Sequence, residues 1–212
     1  MTTYATFKEI IYTNIARDSS DAAAVLLVPK AINYAIDAAA ILFKPPELYT
    51  TYSMTVTAGE SSKQFITKFI DLIDIYNVTD SSQMLFIPYE ALRLVVPTST
   101  KLKYYSMFGD WIYFNAAPTG DTSLRLGYIE YPTELSADAD EPVFSRYDAY
   151  IVSMATAFCW AAFEEGDAIE VWGKVGEALG MSLMKAAQAR EVVAGKPILL
   201  ESTTTGALAG VK

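Results

Sequence analysis

The chain has no histidine and a single cysteine among its 212 residues. Without histidine the commonest general base and metal ligand at neutral pH is missing, and a Ser-His or Cys-His nucleophile is excluded. Cys159 alone gives no internal disulfide framework, and no zinc, copper or other metal site is expected around it. Basic residues are also scarce. Sixteen Lys and Arg stand against 25 Asp and Glu, for a formal charge of -9 and a sequence pI near 4.5. Tight phosphate binding needs clustered cations, and the nearest grouping, Lys101 and Lys103, sits among tyrosines at the head of a strand. There is no Gly-rich loop with lysine, no Gly-x-Ser-x-Gly and no dinucleotide fingerprint, so no cofactor is implied. The apolar stretch Ala149 to Phe163 reads as the one transmembrane candidate, and it falls short of the roughly 20 residues a span needs. It reads instead as a core helix, with Cys159 as a small buried hydrophobe. The opening "MTTYATFKEIIYTN" has no basic region ahead of a long apolar run, so no targeting signal is expected.

What is present is an apolar content of 52%, enough to bury a sizeable core. Phe7, Ile10, Ile11 and Ile15 mark one face of a first helix, and "DSSD" supplies a turn and an N-cap for a second. That helix spans Ala22 to Phe43, with Pro29 expected to kink it and "KPPE" to stop it. The texture then turns to β. "LYTTYSMTVTAGESSKQFITKF" predicts a hairpin, "DLIDIYNVTDSS" a further strand, and "IPYEALRLVV" a short helix with Pro88 at its first position. "KLKYYSMFGDWIYF" predicts a second hairpin turning at Gly109-Asp110, and "DTSLRLGYIEYPTEL" a strand completing a meander. Helix returns after the loop "SADADEP": Ser145 is placed to cap an apolar helix from Arg146 to Glu165, and Gly166 to end it. Asp167 and Glu170 form a capping-box pattern for a last helix over Ala168 to Ala194, striped by Trp172, Val175, Leu179, Leu183 and Ala186. Gly173, Gly176 and Gly180 within it suggest close approach by another helix.

Candidate chemistry falls to carboxylates. Asp71 with Asp74, Glu130 with Glu134, and the group Glu164, Glu165 and Asp167 each offer a glycosidase-like couple, but their plainer reading is a solvated face or a helix end. "DADE" at Asp138 to Glu141 starts like a calcium loop and lacks that loop's glycine and distant glutamate. A sugar platform would gather aromatics on one strand face. Tyr49, Tyr52, Tyr104, Tyr105, Trp111, Tyr113, Tyr128 and Tyr131 instead fall on both faces under alternation, which favours core and subunit packing. Tyr104, Tyr105, Trp111, Tyr113, Tyr128 and Tyr131 are the candidate subunit-interface aromatics. In the tail, Ile198, Leu199 and Leu200 follow the helix break at Gly195 and Pro197 without an internal partner, and are candidates for docking on a neighbour or another protein.

The order helix, long helix, aromatic β insertion and two closing helices resembles the head-to-tail adaptor, or connector, proteins of tailed bacteriophages. The stretches that carry the likeness are "PKAINYAIDAAAILF", "FIDLIDIYNV", "YYSMFGDWIYFNAAPTGDTSLRLGYIEYPTEL" and "DADEPVFSRYDAYIVSMATAFCWAAF". The resemblance implies a single α+β domain: a helical bundle from residues 1–45 and 145–195, an antiparallel β-rich insertion over 48–135, and an extended arm over 196–212. It also implies a non-enzymatic virion protein of the neck, assembled in the host cytoplasm into a ring of about a dozen copies that closes by heterologous contacts. Its partners would be itself, the portal and a downstream neck or tail protein, with DNA only as passing cargo and no membrane. Other readings of the residues are a stopper-like or tail-completion virion protein, or a carbohydrate-binding or carbohydrate-active protein.

Overall fold

Thr3 opens α1 (Tyr4–Asn14) by accepting a hydrogen bond from the Thr6 N–H, so a short polar side chain replaces a missing helical partner. The computed structural model describes residues 2–65, 68–95, 99–144, 146–163 and 166–193; for 166–169 and 186–193 only the backbone is described. After α1 the chain reverses, and Asp21 caps α2 (Ala22–Phe43) by accepting from the Ala23 and Ala24 N–H groups at 2.9 and 3.1 Å. Arg17, 2.5 Å from Asp21, and these backbone donors hold its carboxyl below the usual range. Helix α2 continues through Pro29 and ends at Lys44, whose left-handed backbone returns its N–H to the Ala40 carbonyl just before Pro45 and Pro46.

Among the described residues, α2 and not the later apolar helix is long and apolar enough by length and composition to cross a membrane. Lys30, Asn33 and Asp37 interrupt the run in sequence. In the fold, its Ala24, Val28, Ala31, Ile32, Ala35, Ile36, Ala39 and Ala40 face is buried against other helices.

Helix α3 (Tyr89–Leu92) is a single turn with Pro88 as its N-cap. The last two helices, α4 (Asp148–Ala162) and α5 (Gly166–Val193), divide differently from the sequence reading. α4 ends at Ala162, with Phe163 returning its N–H to the Cys159 and Trp160 carbonyls, and Gly166 begins α5 instead of closing α4. Asp167 is therefore inside the helix and not its cap. Ser145 lies outside the described residues. One core joins α1, α2 and α4 through Phe7, Ile11, Ile32, Ile36, Ile151 and Cys159, and α5 packs along α4. The close approach suggested by the glycines is found at two of the three. A methyl group on Gly176 would sit 2.7 Å from Met154 Sδ, and one on Gly180 would sit 3.3 Å from the Tyr150 ring, while Gly173 faces open space.

The strands are β1 (Tyr49–Val56), β2 (Ser62–Gln64), β3 (Phe69–Asn77), β4 (Ser82–Gln83), β5 (Leu85–Phe86), β6 (Tyr104–Phe108), β7 (Trp111–Phe114) and β8 (Thr122–Glu130). They form two sheets, ordered β1-β8-β3-β4 and β2-β7-β6-β5, antiparallel except for the β5–β6 pair. The second predicted hairpin is present, with Gly109 at φ +58° in the turn between β6 and β7. The first is not. β1 and β2 enter different sheets, and β8 leaves β7 to become a central strand between β1 and β3, so no meander forms. The first sheet holds the three long strands, β1, β3 and β8 of eight or nine residues, with the two-residue β4 at its edge, whereas β2, β5, β6 and β7 of the second have two to five. A long strand paired with β2 would leave most of its backbone groups without partners.

The inward faces share a second core built from Met54, Val56, Ile75, Ile112, Leu124 and Leu126, with Phe65 packed between Tyr52, Phe69 and Tyr128. β8 joins the two cores. Its Tyr128 is buried between the sheets, and the next residue, Ile129, is buried in the helical core with Leu48 and Leu135. A second join follows at Asn33 on α2, whose side chain accepts from the Leu135 N–H at 2.9 Å and donates to the Leu135 carbonyl at 3.1 Å.

Candidate assembly surfaces

The five tyrosines and one tryptophan singled out in the sequence as interface candidates divide by depth. Tyr105 and Tyr128 are buried between the sheets, and burial, with Asp74 and Asp71 adding, pushes the Tyr105 phenol up. Their rings hold the sandwich together and do not reach the surface. Tyr104 and Tyr113 are half-buried, and Trp111 and Tyr131 are exposed. Tyr113 is covered by Tyr89 of α3, which stands edge-on to it at 4.8 Å and stacks on Phe108 at 5.4 Å. Beneath this layer Ser106 is fully buried, and its Oγ has no hydrogen-bond partner among the described residues.

Around these rings lies a patch that the aromatic count alone did not reveal. Leu85, Phe86, Leu94, Phe108 and Trp111 all expose 42% or more of their surface, on β5, β6, β7 and the segment after α3; Phe108 and Trp111 lie opposite each other on the sheet face of Ser106 and Tyr113, whereas Phe86 is on the other face beside Tyr105. Clustered exposed apolar side chains of this size mark interaction surfaces more often than chance exposure does. The signal available in the sequence was the odd apolar residue at each strand end: Phe108 faces Trp111 across the hairpin tip, beyond the last residues that reach the core.

The helices carry two further apolar surfaces. Along α2, Leu26, Tyr34 and Ile41 are exposed at spacings of eight and seven, one face of a helix whose other side is core. At the seam of α4 and α5 an almost wholly apolar groove of about 370 Å³ is lined by Leu42, Tyr150, Met154, Met181 and Met184, with Glu177 as its charged residue. Gly173 and Gly180 deepen it by omitting side chains. Val175, assigned in sequence to the packing stripe, is exposed, and among residues 170–185, where side chains are described, the buried positions of α5 are Gly176 and Gly180.

The carboxylates are arranged for structure. Bulges in β3 put Asp71 opposite Ile129 and Asp74 opposite Gly127, so both lie on one face of the sheet, yet Lys44 engages Asp71 at 2.6 Å. Asp138 pairs with Lys8 at 2.5 Å, and Asp140 accepts from the Ser136 and Ala137 N–H groups, which hold its carboxyl below the usual range. The loop thus folds onto itself. A cleft of about 680 Å³ between α2, the β6–β7 turn and the loop after β8 gathers Asp37, Asp110 and Glu134 around Lys68. Burial raises the Asp37 carboxyl, with Glu134 adding. Among the described residues no group of three or more Cys, Asp or Glu is placed to hold a metal ion. Glu164, Glu165 and the Asp167 side chain, like Ile198, Leu199 and Leu200, lie outside the described residues.

A fold with apolar surfaces on both its helical and its β parts, and carboxylates committed to loops and ion pairs, is suited to assembly. The family model of the SU10 adaptor protein matches residues 2–196. The chain belongs to this adaptor family. A comparison with curated proteins finds no match. As an adaptor the chain is a structural protein of the tailed-bacteriophage virion that joins head to tail in the neck. Membership implies oligomerisation and contact with portal and tail proteins. The adaptor match covers both cores and stops before Ile198.

Proposed function

We propose that the chain assembles into a ring of about a dozen copies beneath the portal, in the host cytoplasm, and surrounds the channel through which DNA leaves the head. The observation that supports this reading is the presence of unlike apolar surfaces on one adaptor chain: the helical face of Leu26, Tyr34 and Ile41, and the exposed pair Phe108 and Trp111 at the tip of the β6–β7 hairpin. A heterologous contact needs two different surfaces that fit each other, and its repetition closes a ring when the rotation permits. A formal charge of -9 is consistent with a wall that lets a polyanion slide past. Trp111 and Tyr131 are the interface candidates among the aromatics chosen from sequence, with Tyr104 and Tyr113 at the margin.

Native mass measurement of the chain mixed with its portal tests the reading. The expected particle carries adaptor mass in a whole-number multiple of 23.3 kDa close to twelve. Phe108→Asp with Trp111→Asp is expected to abolish one contact and leave portal particles without a complete ring. A portal that binds single copies only, or none, overturns the proposal.

A further inference from the structure

From the groove at the α4–α5 seam and the composition of the tail, we infer that Ile198, Leu199 and Leu200 of one copy seat in the Met-lined groove of the next copy. The inference rests on the ring proposed above and names a contact within it. Three observations support it.

The first is chemical match. The groove is lined by Leu42, Tyr150, Met154, Met181 and Met184, a wall of aliphatic and thioether groups. Methionine side chains adapt their shape to an incoming apolar segment, as rigid branched chains do not. The tail carries the apolar run Ile198-Leu199-Leu200, set between Pro197 and Glu201. Lys196 lies two residues ahead of that run, and Glu177 is the groove's charged residue, so the segment brings a cation to the wall that has a carboxylate.

The second is reach. Val193 is the last described residue, and the groove runs back along α5 from Met184 to Gly173, about 14 to 30 Å away at 1.5 Å per residue. Ile198 is five residues beyond Val193 and can extend about 17 Å, and Leu200 about 24 Å, before any length is lost in turning back. A tail folded onto its own helix therefore covers the Met184 end and leaves the Gly173 end empty. Filling the Gly173 end with this apolar run therefore requires a second copy whose α5 ends nearer to it.

The third is position relative to the family. The adaptor match ends at residue 196, two residues ahead of Ile198, so the match assigns the apolar run no partner and the contact proposed for it rests on this chain's own residues.

Cysteine pairing reads the contact directly. Two forms of the chain are prepared, one carrying Leu199→Cys and the other Met181→Cys with a mass label, and they are mixed, assembled on the portal and oxidised. The native Cys159 does not interfere: it is fully buried, and burial pushes its thiol up to about 11. The expected result is a disulfide between the two forms in assembled rings, reduced about tenfold by adding Leu42→Asp to the groove-bearing form, since a carboxylate placed in an apolar seat opposes docking. Rings that form without this crosslink overturn the inference and leave the ring intact, whether the tail is found on the portal or on no surface. A single chain carrying both cysteines that crosslinks only to itself also overturns it, in favour of a tail folded back on α5. Absence of rings in the unsubstituted chain overturns the ring proposal and this contact together.

Discussion

Asn33 is the side chain on which the junction between helices and strands most depends. It reproduces a β-ladder pairing with Leu135, meeting both its N–H and its carbonyl, and Leu135 is itself buried. Asn33→Ala leaves both backbone groups unmatched, and a loss of about 1 to 3 kcal/mol is expected in urea unfolding. Ser106 is the opposite case. Its hydroxyl is buried under Tyr89 and Tyr113 with no partner among the described residues, so Ser106→Ala removes a desolvated group without breaking a bond. Unchanged or increased stability is expected, and a loss comparable to that of Asn33→Ala would show that the hydroxyl is bonded. Individual side-chain depth was poorly legible in sequence for the tyrosines. Tyr104 and Tyr105 are neighbours on one strand, and alternation says that one of them faces the core but not which. The register of β6 against β7, with Tyr105 opposite Phe114 and Ser106 opposite Tyr113, decides it.

Among elements, α5 offers the sharpest contrast because its glycines differ in surroundings along one helix. Gly173 faces open space, so Gly173→Ala is expected to raise stability by about 0.5 to 1 kcal/mol through helix propensity alone. Gly176 lies against Met154 and Ser153, and Gly176→Leu must part α4 from α5, with an expected loss of about 1 to 3 kcal/mol. Thermal melts of the two variants should move in opposite directions. Their moving together would show that the seam is loose. The helices were legible because a period near 3.6 and the stops at Lys44-Pro45-Pro46 are local signals, and α2 matches its expected span, Ala22–Phe43. The longer strands were legible as strands for the same reason, but the two-residue β4 and β5 were not, nor were the strands' partners. The 5-residue gap between β1 and β2 reads as a hairpin turn, yet each pairs across a long stretch of chain with β8 or β7. Pairing is settled by which strands match in length and which faces must meet in the sandwich core, and neither is written in the neighbouring residues. The candidate surfaces were legible in kind, as exposed aromatics, and not in membership. Phe86, Phe108 and Leu94 became visible only once the strand ends were placed.

At the scale of the whole molecule, the buried weak acids set a limit on alkaline stability. Cys159 is raised from 9.0 to about 11 by burial, and the Tyr4, Tyr105 and Tyr150 phenols are raised above 10.0, each chiefly by burial. These groups stay protonated in the folded chain where the unfolded chain has released its protons. The unfolded state therefore binds fewer protons, and stability falls as pH rises from about 9 toward 11, having been fully present below that window. Cys159 alone accounts for up to about 3 kcal/mol. Urea midpoints at pH 7 and pH 10.5 should differ, and Cys159→Ala should flatten the decline. A midpoint that holds constant across this window would show that the thiol and phenols are solvated.

The chain crosses between its two cores inside a single strand. β8 is hydrogen-bonded to β1 on one side and β3 on the other, with Tyr128 anchored among the sheets and Ile129 among the helices. In mechanical terms this makes β8 the load path of the molecule. Both ladders of β8 must give way before a pull on that strand can part the sandwich from Ile129 and the helices around it. A structural part of the virion neck thus has its two halves tied through a strand that belongs to both.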